Sequence, residues 1–333
     1  MFVIPGTLDI PVRLAVNHLS SFIITNVFPN GVIVKRPESS LIAGCGYVGR
    51  RVAAKWQAQG MRVFAITRSE SKAKELSDAG ITPIRLDLAQ ATSMPPMPDV
   101  DVVLWSVGFD RTNGTSRQAI WMDGLQRLLS ALPPRTDRRR ILYTSSTSVY
   151  GDSGGRDADE KTTPNPASEG GNACLAAEQL LQKFATQISV SVSILRLAGI
   201  YGPNRLLRRI VDLQNSIPIT SPPDEWLNLI HVDDAVSAID CISKLQSPPS
   251  LINIVAGESV TRRQYYTTLA TLANAPPPTF ETPSATPSLQ HLRRGANRRV
   301  KSLIRESLHI PYKYDSIIDG LRTAIRRDCS DTA

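Results

Sequence analysis

The sequence predicts an α/β fold: a doubly wound parallel sheet with helices on both faces, followed by a smaller C-terminal lobe. Three observations lead there. A short apolar run, Leu41-Ile42-Ala43, feeds the turn Gly44-Cys45-Gly46-Tyr47-Val48-Gly49, and a helical pattern with one apolar face follows at once. Segments of strand length then alternate with helical ones through the first half of the chain. The segment Val102-Val103-Leu104-Trp105 is apolar throughout, as strands covered on both faces are.

The elements follow in order. The first strand reads from Ser39 to Ala43, and the glycine turn follows it. Val48, Val52 and Trp56 recur at helical spacing beside Ala53, and Gly60 sits where a helix-ending glycine belongs. Further strands are expected over 61–66, 83–88, 101–106, 140–145 and 190–195, with helices over 116–132 and 172–187. This is the Rossmann-type arrangement. Later the pattern loosens: prolines punctuate 218–223 and 248–249, and 275–288, rich in Pro, Thr and Ser, reads as a loop. The expected organisation is an N-terminal extension over 1–38, poorly ordered, a nucleotide-binding domain over 39–200, and a substrate lobe over 201–325 interleaved with the sheet.

A G-x-G-x-x-G turn between a strand and a helix is built to bind the pyrophosphate of a dinucleotide. Gly44 allows the tight turn, Gly46 lets the backbone approach the phosphates, and Gly49 lets helix and strand pack closely. Free N–H groups and the positive end of the helix dipole then face the anion. Without a ligand, the same residues would be a plain β-α-β turn. The end of the second strand carries Thr67-Arg68-Ser69 where an NAD site would carry an acid. An arginine cannot accept a hydrogen bond from a ribose hydroxyl but pairs well with a 2′-phosphate. Arg68, with Ser69 and with Arg50 or Lys72 nearby, therefore points to NADP rather than NAD. Its alternative is a solvated surface arginine.

Composition narrows the class. With 333 residues, 41% of them hydrophobic and 20% charged, the chain can bury a substantial core and reads as a soluble globular protein. Its net charge of +8 is concentrated late, in Arg293-Arg294, Arg298-Arg299, Lys301 and Arg326-Arg327. These charges read as solvated helix faces. No nucleic-acid-binding signature accompanies them, so nucleic acid is not expected as a partner. The four cysteines are scattered and the histidines do not cluster with them, so neither a disulfide framework nor a metal site is expected, and a reducing cytoplasm fits. No run approaches the roughly 18 apolar residues of a membrane span. The acid-poor leading segment leaves organellar import open. The expected partner is a small-molecule substrate, with a homodimer as one open oligomeric state.

The motifs together resemble the extended short-chain dehydrogenases/reductases, the NAD(P)-dependent epimerase/dehydratase group, in an atypical branch. Asp87-Leu88 resembles the acidic position after the third strand, which implies contact with the adenine. Ser106-Val107-Gly108 lies where the fourth strand lines the cofactor. Thr144-Ser145-Ser146-Thr147-Ser148-Val149-Tyr150-Gly151 is similar to the segment that carries the active-site hydroxyl, which implies a catalytic Ser146. The stretches 159–166, Arg196–Pro203, Ile230–Ala235 and Asn253–Gly257 are similar to the family's later motifs. The cofactor set implied is Gly44, Gly46, Tyr47, Val48, Gly49, Arg68, Asp87, Leu88 and Ser106.

One departure bears on chemistry. The stretch Gly170 to Glu178 resembles Y-x-x-x-K-L-A-A-E, with Gly170 at the tyrosine position and Cys174 at the lysine position. The pair matters because a phenol of pKa about 10 needs a nearby cation to shuttle protons at neutral pH. Glycine has no proton to give, and a protonated thiol carries no charge. Tyr201 is the candidate replacement acid, and Ser146 remains able to polarise a substrate oxygen. Cys174 as a nucleophile is weighed against a small buried helix residue. Asp233 and Asp234 read as a helix cap and a structural acceptor. Substrate specificity is expected from 204–209, Trp226 and Arg262-Arg263. Two functions stay open: an oxidoreductase or epimerase acting on a sugar nucleotide or other polar metabolite, and a catalytically silent NADP(H) sensor or scaffold. A nucleic-acid-binding or anionic-surface role is the third and weakest reading.

Overall fold

A computed structural model describes residues 37–109, 114–186, 190–281 and 297–330, the last five by backbone alone. Pro37–Ala333 forms one compact unit. The extension expected over 1–38 falls outside the described residues but for its last two, as do 282–288 of the expected loop, Arg293-Arg294 and the side chains of Arg326, Arg327 and Cys329.

The nucleotide half begins with β1 (Ser39–Ala43), α1 (Tyr47–Ala58), β2 (Arg62–Thr67), α2 (Glu70–Asp78), β3 (Thr82–Arg85) and β4 (Val102–Trp105). A π-helical stretch, Gln118–Gly124, then runs into α3 (Leu125–Ala131). There follow β5 (Arg139–Ser146), β6 (Asp157–Ala158), α4 (Glu169–Phe184) and β7 (Val190–Leu197). The remaining elements are β8 (Gly199–Tyr201), α5 (Leu207–Gln214), β9 (Trp226–Leu227), β10 (Leu229–His231), α6 (Val232–Lys244), β11 (Leu251–Ile254), β12 (Val260–Thr261), α7 (Arg262–Leu272), β13 (Arg299–Val300) and α8 (Ile317–Ser330).

Seven strands form the main sheet in the order β3-β2-β1-β4-β5-β7-β11, every neighbour parallel. The doubly wound fold expected from the sequence is thus present. Strand side chains alternate between two faces, and both faces are apolar. In β1, Ile42 joins the core under α1 and α6, while Leu41 and Ala43 join the one under α3 and α4. In β4, Val102 and Leu104 serve the first core and Val103 and Trp105 the second. This double duty is why these strands read as unbroken apolar runs. A third cluster gathers Tyr201, Leu213, Tyr265, Leu269, Leu321 and Ala324.

Several boundaries shift from expectation. The third strand stops at Arg85, so Asp87 and Leu88 lie in a loop. Helix α4 begins at Glu169, three residues early, because the Ser168 side chain accepts from the Gly171 N–H and caps it. The helix expected over 116–132 is widened in its first part. Helix α6 is capped by His231, whose Nδ1 accepts from the Asp233 N–H at 3.1 Å, rather than by Asp233 itself. Asp234 accepts from the N–H groups of Lys313 and Tyr314, as a structural acceptor should.

Trp56 is fully buried where α1 meets the sheet. Trp56→Ala is expected to cost about 3–5 kcal/mol, the usual penalty for emptying an aromatic site. A drop in the urea midpoint of that size checks it; an unchanged midpoint would count against this packing.

Candidate functional site

In an open α/β sheet, ligands bind at the carboxyl ends of the strands where the strand order reverses. Here the reversal falls between β1 and β4, which pair directly. A cleft of about 520 Å³ opens at that point. Its wall carries Gly44, Gly46, Tyr47, Val48, Arg68, Asp87, Leu88 and Ser106, together with Thr144, Ser145, Ser146 and Cys174. Residues at or just beyond the ends of β1, β2, β3, β4 and β5, and from α1 and α4, are therefore brought to one wall. Gly49 stands just behind it.

The glycine turn is tied to the end of β4. Gly44 has φ +87°, and a Cβ there would fall 2.5 Å from the backbone of Ser106. The Ser106 Oγ donates to the Gly44 carbonyl at 2.8 Å. A Cβ on Gly49 would meet the same carbonyl at 2.5 Å. These two glycines let loop, strand and helix share one small space. Gly46 differs: a Cβ there would meet nothing within 4 Å, so it borders open cleft. No side chain caps α1, which leaves its N-terminus available to an anion. The residues present fit a dinucleotide pyrophosphate.

At the end of β2, Arg68, Ser69, Lys72 and Arg50 line the same cleft. Arg50 also pairs with Glu75 at 2.6 Å, on a mostly solvated surface. On the opposite loop the carboxylate of Asp87 accepts from the Ala89 N–H at 2.9 Å. Tyr47 donates to the Pro203 carbonyl at 2.7 Å and lies between the guanidinium groups of Arg51 and Arg205, 4.1 and 4.4 Å from its ring centre. Arg205 lines the cleft.

At the far end, the hydroxyls of β5 divide their work. Thr144 donates to the Trp105 carbonyl and Ser145 donates to Glu178. Ser146 accepts from the Ser148 N–H at 3.1 Å, and its own proton has no acceptor among the described residues. Ser146 is thus the hydroxyl able to donate into the cleft. Behind them lies a buried network. Glu178, 1% exposed, binds Arg196 through both oxygens, at 3.0 and 2.7 Å. Burial would lower the arginine's pKa, but the hydrogen bonds and charge of Glu178 outweigh it and raise the value. Arg196 also stands over the Tyr150 ring, Tyr150 donates to Asn253, and the Asn253 N–H donates to Glu160.

Cys174 faces the cleft as a neutral thiol: burial pushes its pKa up to about 11. That is the opposite of an activated nucleophile. Gly170 lies in the first turn of α4 and contributes no side chain. Tyr201 does not come to the cleft. It is 2% exposed, edge-on to His231, with its hydroxyl against Gly320 and without a partner among the described residues. Burial raises its pKa further above the ordinary range. The structure therefore does not bring this expected replacement acid to the cleft. Of the expected specificity residues, Arg262 is buried against Glu225 at 2.7 Å and Arg263 pairs with Asp224. Trp121, which no sequence motif marks, lines the cleft and donates to the Val107 carbonyl at 2.9 Å. Among the described residues no group of three His, Cys, Asp or Glu could hold a metal ion, and no helix is long and apolar enough to cross a membrane.

Two outcomes follow. Glu178→Ala strands Arg196 as a buried cation and is expected to cost about 3–5 kcal/mol in a denaturant titration; a loss below measurement would refute the network's role. Burial also raises Cys45 from the ordinary 9.0 to about 11. Folded Cys45 and Cys174 hold their protons more tightly than the unfolded chain. Their contribution to stability is complete below pH 9.0 and fades as the pH rises towards 11. Iodoacetamide should accordingly label neither at pH 8 in the native protein, as peptide mass mapping can check.

Comparison with known proteins agrees with this geometry. The chain is 28% identical over 246 residues to protein YeeZ of Escherichia coli K12, covering 72% of this chain and 85% of that one. It is 24% identical over 241 residues to a decarboxylating sterol-4-alpha-carboxylate 3-dehydrogenase of Dictyostelium discoideum, covering 68% and 74%. Its fold matches that of UDP-glucuronic acid 4-epimerase from Bacillus cereus, solved with UDP-glucuronic acid and NAD. That match has a TM-score of 0.72 at 18% identity, over 88% of this chain and 99% of the other. Residues 40–254 match the NAD dependent epimerase/dehydratase family from the first strand of the sheet to the last, and the chain belongs to that family.

Proposed function

We propose that this chain binds NADP(H) along the switch-point cleft and acts on a polar metabolite as an oxidoreductase or epimerase. The observation that carries this is the continuity of the cleft, whose single wall runs from Arg68 past the glycine turn to Ser146. The turn and the N-terminus of α1 would hold the pyrophosphate, Asp87 and Leu88 the adenine side, and Arg68 with Ser69 and Lys72 a 2′-phosphate. A nicotinamide dinucleotide, when bound, supplies hydride exchange. Ser146 donates a hydrogen bond to the substrate oxygen whose charge changes in that exchange. Ser145, Glu178 and Arg196 hold the serine segment in place. Sugar nucleotides lead the substrate panel because the structural neighbours include an epimerase solved with a UDP-sugar.

A second reading, a silent NADP(H) sensor or scaffold, is favoured by Gly170 and Cys174. Gly170 offers no side chain to transfer a proton, and a neutral Cys174 thiol cannot replace a lysine's positive charge.

Two measurements test the cofactor and then separate these readings. Fluorescence titration should give tighter binding of NADPH than of NADH, with the preference cut about tenfold or more in Arg68→Ala. Equal affinities, unchanged in that variant, would remove Arg68 from the site. With a UDP-sugar panel, Ser146→Ala should lower kcat about 100-fold while leaving NADPH affinity alone. Binding without turnover on any member of a broad panel would establish the sensor reading instead.

A further inference from the structure

Arg117 stands beside the position that Gly170 leaves bare, and the network behind the cleft does not use it. It opens the widened helix with its guanidinium 4.0 Å from the centre of the Phe109 ring. Phe109 meets Trp121 edge-on at 6.0 Å, and Trp121 lines the cleft. The aromatic pair thus holds the cation in place. Among the described residues, a Cβ built on Gly170 would have one neighbour within 4 Å outside its own helix, the Arg117 Nε at 3.7 Å. The direction in which a side chain at 170 would grow is therefore open space flanked by a guanidinium. The charge of Arg117 also reaches Cys174, where it opposes the rise of the thiol pKa.

Its carboxylate partner is poorly suited to a purely structural role. The Arg117 side chain is 15% exposed, whereas that of Glu169 is 75% exposed. Water competes for such a carboxylate, and exposed pairs of this kind contribute little to stability. A second carboxylate approaching from the cleft could replace it.

We infer that Arg117 holds a carboxylate of the substrate in the space left by Gly170. A guanidinium keeps its proton at neutral pH and cannot serve as the missing acid. What it offers is a planar fork that matches a carboxylate and a permanent positive charge behind the cleft wall, within electrostatic reach of Cys174, which itself supplies none. The substrate would then be an anionic metabolite, with the carboxylate near the oxygen that Ser146 addresses. This rests on the reading of the cleft as an active site.

The test is calorimetric titration of the full chain with oxalate, with and without saturating NADPH, and with neutral oxamide as control. Oxalate should bind and oxamide should not. Arg117→Gln should weaken oxalate about tenfold or more, with Arg117→Lys intermediate. Gly170→Phe, which fills the space without removing the charge, should weaken it as well, and it keeps the test decisive if Arg117→Gln fails to fold. NADPH affinity should hold in all three. Equal oxalate affinity in the wild type and the variants, or no saturable oxalate binding in either state, overturns the inference. Failure of the wild type to bind NADPH would instead defeat the cofactor reading, and the nucleotide-free titration would still decide Arg117.

Discussion

The ion pair between Glu178 and Arg196 is the interaction on which the β5 end of the cleft depends. Both side chains are almost wholly buried, so each must satisfy the other. Glu178 comes from α4 and Arg196 from β7, and Ser145 from β5 adds a third element. Through Tyr150 and Asn253 the same network reaches β11 and the loop that bears Glu160. Motifs scattered over more than a hundred residues are thus one piece of structure. Glu178, Arg196, Tyr150, Asn253 and Glu160 stand behind the lining; they hold the β5 terminus so that its hydroxyls face in fixed directions.

At the other end of the cleft the constraint is steric rather than electrostatic. Gly44 and Gly49 leave no space for a side chain, and Ser106 stitches the turn to β4. Tyr47 then fastens the turn to the later loop at Pro203. The result is a rigid backbone cradle whose shape is set by absent atoms. A cradle of this kind suits an anion held by backbone N–H groups, because it places them before any ligand arrives.

These two ends are physically independent. The cradle needs glycines and a helix N-terminus, whereas proton transfer needs a titratable side chain at the right point. In the proposed reading this chain keeps the first and lacks the usual form of the second. Cys174 shows how complete the separation is: it remains on the wall, but burial drives its thiol to the uncharged state. In the proposed reading, binding polarity comes from Ser146 and positive charge from Arg117. The chemistry then leans on positioning and electrostatics more than on an internal acid.

The amino-acid sequence alone determined the layer architecture, the glycine turn, the strand that follows it and the family resemblance. All of these rest on local pattern: spacing, turn chemistry and apolar runs. Gly44, Gly46, Arg68, Asp87 and Ser146 were legible as cleft residues for the same reason. Tertiary structure decided what local pattern cannot carry. Tyr201 sits in a motif yet packs away from the cleft, because the direction of a side chain is set by the core it joins. Trp121, which no motif marks, lines the cleft. Arg117, unremarkable in sequence, gains meaning only beside Gly170, which is 53 positions away along the chain. Contacts between distant elements depend on how the helices dock on the sheet, and no window of sequence contains that.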